Sequence, residues 1–212
     1  MKNLVSLLAI SFVAACSFSP SPQAQTETET NIPQPPATKN TASAIFAGGC
    51  FWCVESDFEK LPGVIEAVSG YTGGTTKNPT YKEVTYKDTG HYEAAKIIYD
   101  PSVVSYEELL AYYWTTVDPT DPHGQFCDKG DSYRTAIFAN AEQFEAAESS
   151  KASIKQTKPF KAAIVTPVLK AQTFYDAEGY HQNYYKKNPI RYKYYRNGCR
   201  RDARLKQLWG AK

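Results

Sequence analysis

The stretch AGGCFWCVESDF, residues 47–58, decides the fold and poses the first chemical question. A short apolar run, 44–47, ends in two glycines, after which apolar residues recur at helical spacing from Cys53 to Leu61. The stretch therefore predicts a strand, a sharp glycine turn and a helix that begins near Cys50. Because the free N–H groups at a helix N-terminus stabilise an anion, we expect the pKa of the Cys50 thiol to be lowered.

The rest of the chain alternates between strand and helix patterns. Further strands are expected at 64–70, 91–100, 132–139 and 162–169, and further helices at 105–117, 141–157, 176–187 and 200–209. Ser105 and Glu108 have the spacing of a capping box at the start of the first of these helices. This mixed order, with irregular loops such as 72–90, predicts an α+β fold: a single domain with a mixed β-sheet surrounded by helices and long irregular loops.

The first 41 residues differ in composition from the remainder. Lys2 precedes an apolar run, 4–15, that is too short to span a bilayer and predicts a signal peptide over 1–15. The run ends in VAAC, which resembles a bacterial lipoprotein cleavage site and predicts a lipidated Cys16; an ordinary signal peptide cleaved nearby is the alternative. Residues 16–41 are rich in Pro, Thr, Gln and Glu and predict a disordered tether. The catalytic domain is expected to be 42–212.

These features predict a location and exclude one class of partner. We expect the chain to be lipid-anchored in a bacterial cell envelope and to face the periplasm. Ser17 after the cysteine favours the outer over the inner membrane. A net charge of +2 gives no argument for nucleic-acid binding, and we interpret the basic residues between Arg191 and Lys206 as a solvated face. We expect a monomer.

Four cysteines remain in the expected domain: Cys50, Cys53, Cys127 and Cys199. A structural zinc site would need a second Cys-x-x-Cys, which is absent. A zinc deaminase would place His-x-Glu before the cysteine pair, whereas His91-Tyr92-Glu93 follows it, so we expect no metal. Inert core cysteines, a thiol-disulfide oxidoreductase that uses Cys50 and Cys53, and a redox-linked binding module remain open at this point.

Five motifs occur together in the chain: GGCFWCVE (48–55), SGYTGGTTKNPTY (69–81), TGHYEA (89–94), DKGDSYRTAIF (128–138) and YHQNYY (180–185). In combination they resemble the A-type peptide-methionine (S)-S-oxide reductases. The resemblance covers 45–185 and implies a thiol-dependent enzyme, here in a lipoprotein form. Such an enzyme reduces the S epimer of free or peptide-bound methionine sulfoxide to methionine, through a cysteine sulfenic acid and then a disulfide, and repairs oxidised envelope proteins.

The resemblance also implies a role for each matching residue. The motifs supply a nucleophile, an acid, two phenols that hydrogen-bond the sulfoxide oxygen, and three residues that hold the substrate. In that order these are Cys50; Glu93; Tyr81 and Tyr133; and Phe51, Trp52 and Asp128. Asp131 is an alternative match to Asp128. We expect His91 and His181 to form structural hydrogen bonds, because a thiolate and a neutral acid suffice for the chemistry.

The sulfenic acid on Cys50 must condense with a second thiol before a reductant can reset the enzyme. Cys199, expected on a flexible loop, is the first candidate, followed by Cys53 and then Cys127. We expect no metal and no organic cofactor. The expected partners are oxidised proteins, peptides or free methionine sulfoxide, the membrane through the lipid anchor, and an external thiol reductant such as a thioredoxin-like protein.

Overall fold

The strands and helices come from a computed structural model that describes residues 40–210. The strands are β1 (Ala42–Gly48), β2 (Val64–Thr72), β3 (Tyr92–Tyr99), β4 (Gly124–Gln125), β5 (Asp128–Lys129), β6 (Thr135–Ala139), β7 (Val168–Lys170) and β8 (Tyr175–Asp176). The helices are α1 (Phe51–Phe58), α2 (Tyr81–Tyr86), α3 (Tyr106–Thr116), α4 (Phe144–Thr157), α5 (Tyr184–Lys187), α6 (Pro189–Gly198) and α7 (Arg201–Trp209). A short 3₁₀ helix, Asp131–Tyr133, precedes β6.

The main sheet has six strands in the order β7-β6-β1-β3-β2-β8. β1 lies inside it and pairs antiparallel with both β3 and β6, whereas β6 and β7 are parallel. The sheet is therefore mixed, and the α+β prediction is confirmed. Because β2 also pairs with β3, the end of β1, the start of β3 and the end of β2 lie at one edge of the sheet.

The core forms where α1 and α3 pack against β1. The ring of Phe46, from β1, stacks on Phe58 at 5.1 Å and on Tyr113 at 5.0 Å, and all three side chains are fully buried. The predicted capping box at Ser105 and Glu108 is present at the start of α3. This packing holds α1, and with it Cys50, against the middle of the sheet.

Two predicted elements are largely wrong. The strand expected over 162–169 is reduced to the three residues of β7. Pro167 has no N–H to donate to a neighbouring strand, and only its carbonyl bonds the sheet, by accepting from Ile137 N. The helix expected over 176–187 is β8, turns and the short α5. There the Gln182 side chain bonds both the N–H and the carbonyl of Ser69 on β2, so this segment is fixed by the sheet.

Sequence patterns also missed α2 and α6, and they misassigned the basic C-terminal residues. Arg201 is only 2% exposed and donates to the carbonyls of Gly48 and Thr116, at 3.1 and 2.7 Å. Arg196 pairs with Asp57 and Asp202, and Arg204 pairs with Asp118. The prediction of a wholly solvated basic face is therefore wrong: these arginines join α6 and α7 to the body of the domain.

The expected signal peptide, the lipidated Cys16 and nearly all of the tether lie outside the described residues. β1 begins at Ala42, the predicted start of the domain. Within residues 40–210, none of the helices combines the length and the apolar character that crossing a bilayer requires.

Candidate active site

Cys50 lies at the turn between β1 and α1, as the opening stretch predicts. It is the N-cap residue of α1 and is 6% exposed. Gly49 before it has φ +82°, and a Cβ there would lie 2.5 Å from the Cβ of Gln125. Only glycine combines this left-handed backbone with so close an approach, so the turn that presents the thiol depends on it.

The Glu93 carboxyl lies beside this turn on β3 and is 1% exposed. The Phe51 N–H donates to its Oε2 at 3.1 Å. Burial raises the pKa of Glu93 to about 8, although the hydrogen bonds from Phe51 and Tyr133 act in the opposite direction. Since the raised pKa lies above neutral pH, Glu93 is protonated there and can donate a proton.

Two phenols lie next to Glu93. Tyr81 is the first residue of α2, whose start is fixed by a capping box between Thr80 and Glu83. Tyr133 ends the 3₁₀ helix before β6. Burial raises the pKa of both phenols, and the Glu93 carboxyl acts in the same direction. Both therefore keep their protons at neutral pH and are available as donors.

Phe51 and Trp52 form an apolar wall beside the thiol. The Trp52 ring stacks on Tyr184 with centroids 3.7 Å apart, and its Nε1–H donates to His181 Nδ1 at 3.0 Å. The Phe51 ring packs against His181 at 4.9 Å. These contacts fix both rings, so the wall has one shape.

Asp128 closes another side. Its Oδ2 accepts a hydrogen bond of 2.5 Å from the Tyr195 hydroxyl, and burial raises the pKa of Asp128. Asp131, the alternative match, points away, with a side chain that is 80% exposed. The structure thus places Asp128 and not Asp131 at the site.

One cavity of about 70 Å³ brings these groups together. It is lined by Cys50, Phe51, Trp52, Tyr81, Glu93, Asp128, Tyr133 and Tyr195. Every catalytic and substrate-binding residue predicted from the sequence lies in this lining. Tyr195 is the one that the motifs missed. The sequence feature that could have indicated Tyr195 is its three-residue spacing from Tyr192, which places both rings on one face of a helix. That helix, α6, was not predicted from the sequence patterns.

Cys50 and Cys53 are both buried thiols whose side chains hydrogen-bond each other. Burial raises the pKa of Cys50, and Cys53, Glu93 and Asp128 add to the rise, so the expected lowering at the helix N-terminus is wrong. The hydrogen bond from Cys50 instead lowers the pKa of Cys53 to about 7 against the effect of burial, and Arg201 contributes to the lowering. Cys53 is therefore the thiol of the pair that ionises first.

Cys127 and Cys199 form a disulfide across a sequence separation of 72 residues. Cys199 is the C-cap of α6 and its N–H bonds the Tyr195 carbonyl, so the expected flexible loop is wrong. Among the described residues, Cys127, Asp128 and Cys199 form the one cluster with metal-ligand spacing. Its two sulfurs are bonded to each other, so neither is available as a thiolate ligand.

The histidines of the motifs have structural contacts. His91 Nδ1 accepts from Gly74 N at 3.2 Å, and its Nε2 lies 2.7 Å from the Thr76 carbonyl, so it orders the loop before β3. His181 accepts from Trp52, and burial lowers its pKa. Both observations agree with the structural role expected from the sequence.

Comparisons of sequence give one family. The family model described as peptide methionine sulfoxide reductase matches residues 42–212. The chain is 53% identical over 175 residues to peptide methionine sulfoxide reductase MsrA 2 of Caulobacter vibrioides, covering 82% of this chain and 88% of that one. It is 54% identical over 170 residues to MsrA of Bacillus subtilis, covering 80% of this chain and 96% of that one.

Solved structures give the same fold. Reduced Mxr1 of Saccharomyces cerevisiae matches with a TM-score of 0.66 and 30% identity, over 71% of this chain and 87% of that one. Methionine sulfoxide reductase A of Corynebacterium diphtheriae matches with a TM-score of 0.63 and 31% identity, over 73% of this chain and 78% of that one. These matches support the mixed α+β fold of the domain.

Proposed function

The chain belongs to the peptide methionine sulfoxide reductase family and reduces methionine sulfoxide; from this premise we propose that it acts on the S epimer, free or in peptides, with Cys50 as nucleophile. One observation carries the proposal. A thiol, a carboxyl with a pKa of about 8 and two phenols line a single cavity that has an apolar wall. Sulfoxide reduction needs this combination, because sulfur must be attacked while oxygen is protonated.

The first step joins sulfur to sulfur. The Cys50 sulfur bonds to the sulfoxide sulfur, and its proton passes to the Cys53 thiolate that it already contacts. Glu93 donates its proton to the sulfoxide oxygen, which becomes more basic as the S–S bond forms. Tyr81 and Tyr133 donate hydrogen bonds to the same oxygen and stabilise the developing charge.

Oxygen transfer completes the reduction. The hydroxyl leaves the methionine sulfur for the Cys50 sulfur, which yields the thioether and a cysteine sulfenic acid. The methionine sulfur gains two electrons and the Cys50 sulfur loses two, so the step balances without a cofactor. Glu93, now ionised, regains a proton from solvent.

Selectivity for the S epimer follows from the two unlike sides of the cavity. Phe51 and Trp52 offer an apolar surface to the substrate methyl group, and Asp128 holds the substrate from another side. Glu93 and the phenols lie where the oxygen must be protonated. Exchanging oxygen and methyl would put a polar atom against two rings, at a cost of about 1–3 kcal/mol.

A separated-epimer assay tests the proposal. The chain from Ala42, with dithiothreitol, should convert the S epimer of a methionine sulfoxide peptide and leave the R epimer, with a thioredoxin-like dithiol protein also sustaining turnover. Cys50→Ser should abolish conversion, whereas Glu93→Gln should bind the peptide and reduce it at least about a hundredfold more slowly.

Two results would reject the proposal. Conversion of both epimers at equal rates would show that the enzyme is not selective for the S epimer. If neither epimer is consumed and the protein strongly reactivates a scrambled disulfide protein, the alternative function is favoured, a thiol-disulfide oxidoreductase that uses Cys50 and Cys53.

Cys53 is the thiol that we propose to resolve the sulfenic acid. It contacts Cys50 directly and carries the proton received in the first step, whereas Cys199 is bonded to Cys127. Condensation of the Cys53 thiol with the Cys50 sulfenic acid forms a disulfide and releases water. A thioredoxin-like dithiol protein then reduces this disulfide by exchange.

Peptide mapping after one equivalent of sulfoxide, without reductant, decides the resolving thiol. The expected product is a Cys50–Cys53 crosslink that persists in Cys199→Ser and disappears in Cys53→Ser. A Cys50–Cys199 crosslink in the unsubstituted chain would instead support the order predicted from the sequence, in which Cys199 resolves.

We propose that the enzyme works in a bacterial envelope, tethered by a lipidated Cys16 and facing the periplasm, where it repairs oxidised envelope proteins as a monomer. The support for the anchor and the location is the sequence of residues 1–41 alone. The full chain, tagged at its C-terminus, should pellet with outer membranes, and Cys16→Ala should release it into the soluble fraction. A soluble unsubstituted chain would contradict the anchor.

A further inference from the structure

Tyr195 lines the cavity but belongs to none of the five motifs. It lies on α6, and two contacts hold it. Its hydroxyl donates to Asp128 Oδ2 at 2.5 Å, and its ring meets Trp52 edge to face, with centroids 5.8 Å apart and planes at 79°. One side chain thus touches both the carboxylate and the ring that are expected to hold the substrate.

The fold fixes this contact from both sides. On α6, the Tyr195 carbonyl accepts the N–H of Cys199, which is bonded to Cys127, the residue before Asp128. The neighbouring Arg196 is anchored to Asp57 on α1 at 2.9 Å. Tyr195 and Asp128, 67 residues apart in sequence, are therefore joined by a hydrogen bond and, a few residues away, by a covalent bond.

We propose that Tyr195 is a positioning residue for sulfoxide reduction: its hydroxyl orients Asp128 toward the substrate, and its ring backs the apolar wall at Trp52. The inference rests on the proposed function. Oδ2 is held by Tyr195, and Oδ1 lies 3.8 Å from the Cys127 sulfur, which has no proton to donate because it is in the disulfide, so Oδ1 can still accept from the substrate. Without the hydroxyl, the half-buried carboxylate loses its fixed rotamer, and the cost falls on binding, because the nucleophile and the acid lie elsewhere in the cavity.

Tyr195→Phe tests the hydroxyl while it keeps the ring against Trp52. The expected result, with an S-sulfoxide peptide, is a KM raised about tenfold, the equivalent of ~1.4 kcal/mol, and a kcat within about twofold of the unsubstituted enzyme. Tyr194→Phe is the matched control, because Tyr194 is the neighbouring tyrosine and is 83% exposed. It should change neither constant, and both variants should keep the thermal midpoint of the unsubstituted chain.

A double-mutant cycle shows whether the hydroxyl acts through Asp128. Asp128→Ala should raise KM, and adding Tyr195→Phe to it should raise KM no further, because the group that the hydroxyl positions is gone. A general structural role for Tyr195 would instead multiply the two effects, and that result would overturn the proposal.

The outcomes separate this inference from the function on which it rests. An unsubstituted enzyme that fails to reduce the sulfoxide would refute the proposed function, and the role of Tyr195 with it. An active enzyme whose KM is unchanged by Tyr195→Phe, or whose kcat alone falls, would refute the role of Tyr195 and leave the proposed function standing.

Discussion

The site depends on one constraint: the carboxyl of Glu93 is buried beside the backbone N–H of Phe51. An ionised carboxylate here would lose its hydrating water, and the few hydrogen bonds that replace it do not compensate. The neutral acid is therefore favoured up to about pH 8. The contact also fixes the position of Cys50 relative to Glu93, because it joins the start of α1 to β3. The proposed proton donor and the proposed nucleophile are thus positioned by the same hydrogen bond.

The cysteine pair follows the opposite logic. Burial disfavours a charged Cys50, and the neighbouring carboxyls add to this effect. The hydrogen bond from Cys50 lowers the pKa of Cys53, and Arg201 and Arg196 act in the same direction, so Cys53 ionises before Cys50. This difference in pKa separates the proposed nucleophile, Cys50, from the proposed acceptor of its proton, Cys53. The structural arginines that join α6 and α7 to the domain also create the field that Cys53 experiences.

Much of the site could be predicted because its residues lie in local patterns. The strand, glycine turn and helix around Cys50 need only neighbours in sequence, and the capping box at Ser105 spans four residues, 105–108. The other features could not be found in this way. The buried Arg201, the contact of Tyr195 with Asp128 and the path of 176–187 along β2 depend on partners brought together only by the folded chain.

The thiol pKa values were mispredicted for a related reason. A helix N-terminus can be recognised in sequence, but the burial of Cys50 and the carboxyls around it cannot. The dipole of an eight-residue helix contributes about 0.3–1 kcal/mol, and full desolvation of a thiolate costs more.

The central claim is that Glu93 is a neutral acid at the pH where the enzyme works. Its carboxyl carbon can be followed by NMR in a chain labelled at glutamate, with Glu93→Gln to assign the signal. Since the claimed pKa lies above the ordinary value of about 4.3, the signal should stay in its protonated position through neutral pH and titrate near pH 8. A midpoint between about pH 4 and 5 would mean that Glu93 is ionised at neutral pH, and it would contradict the account.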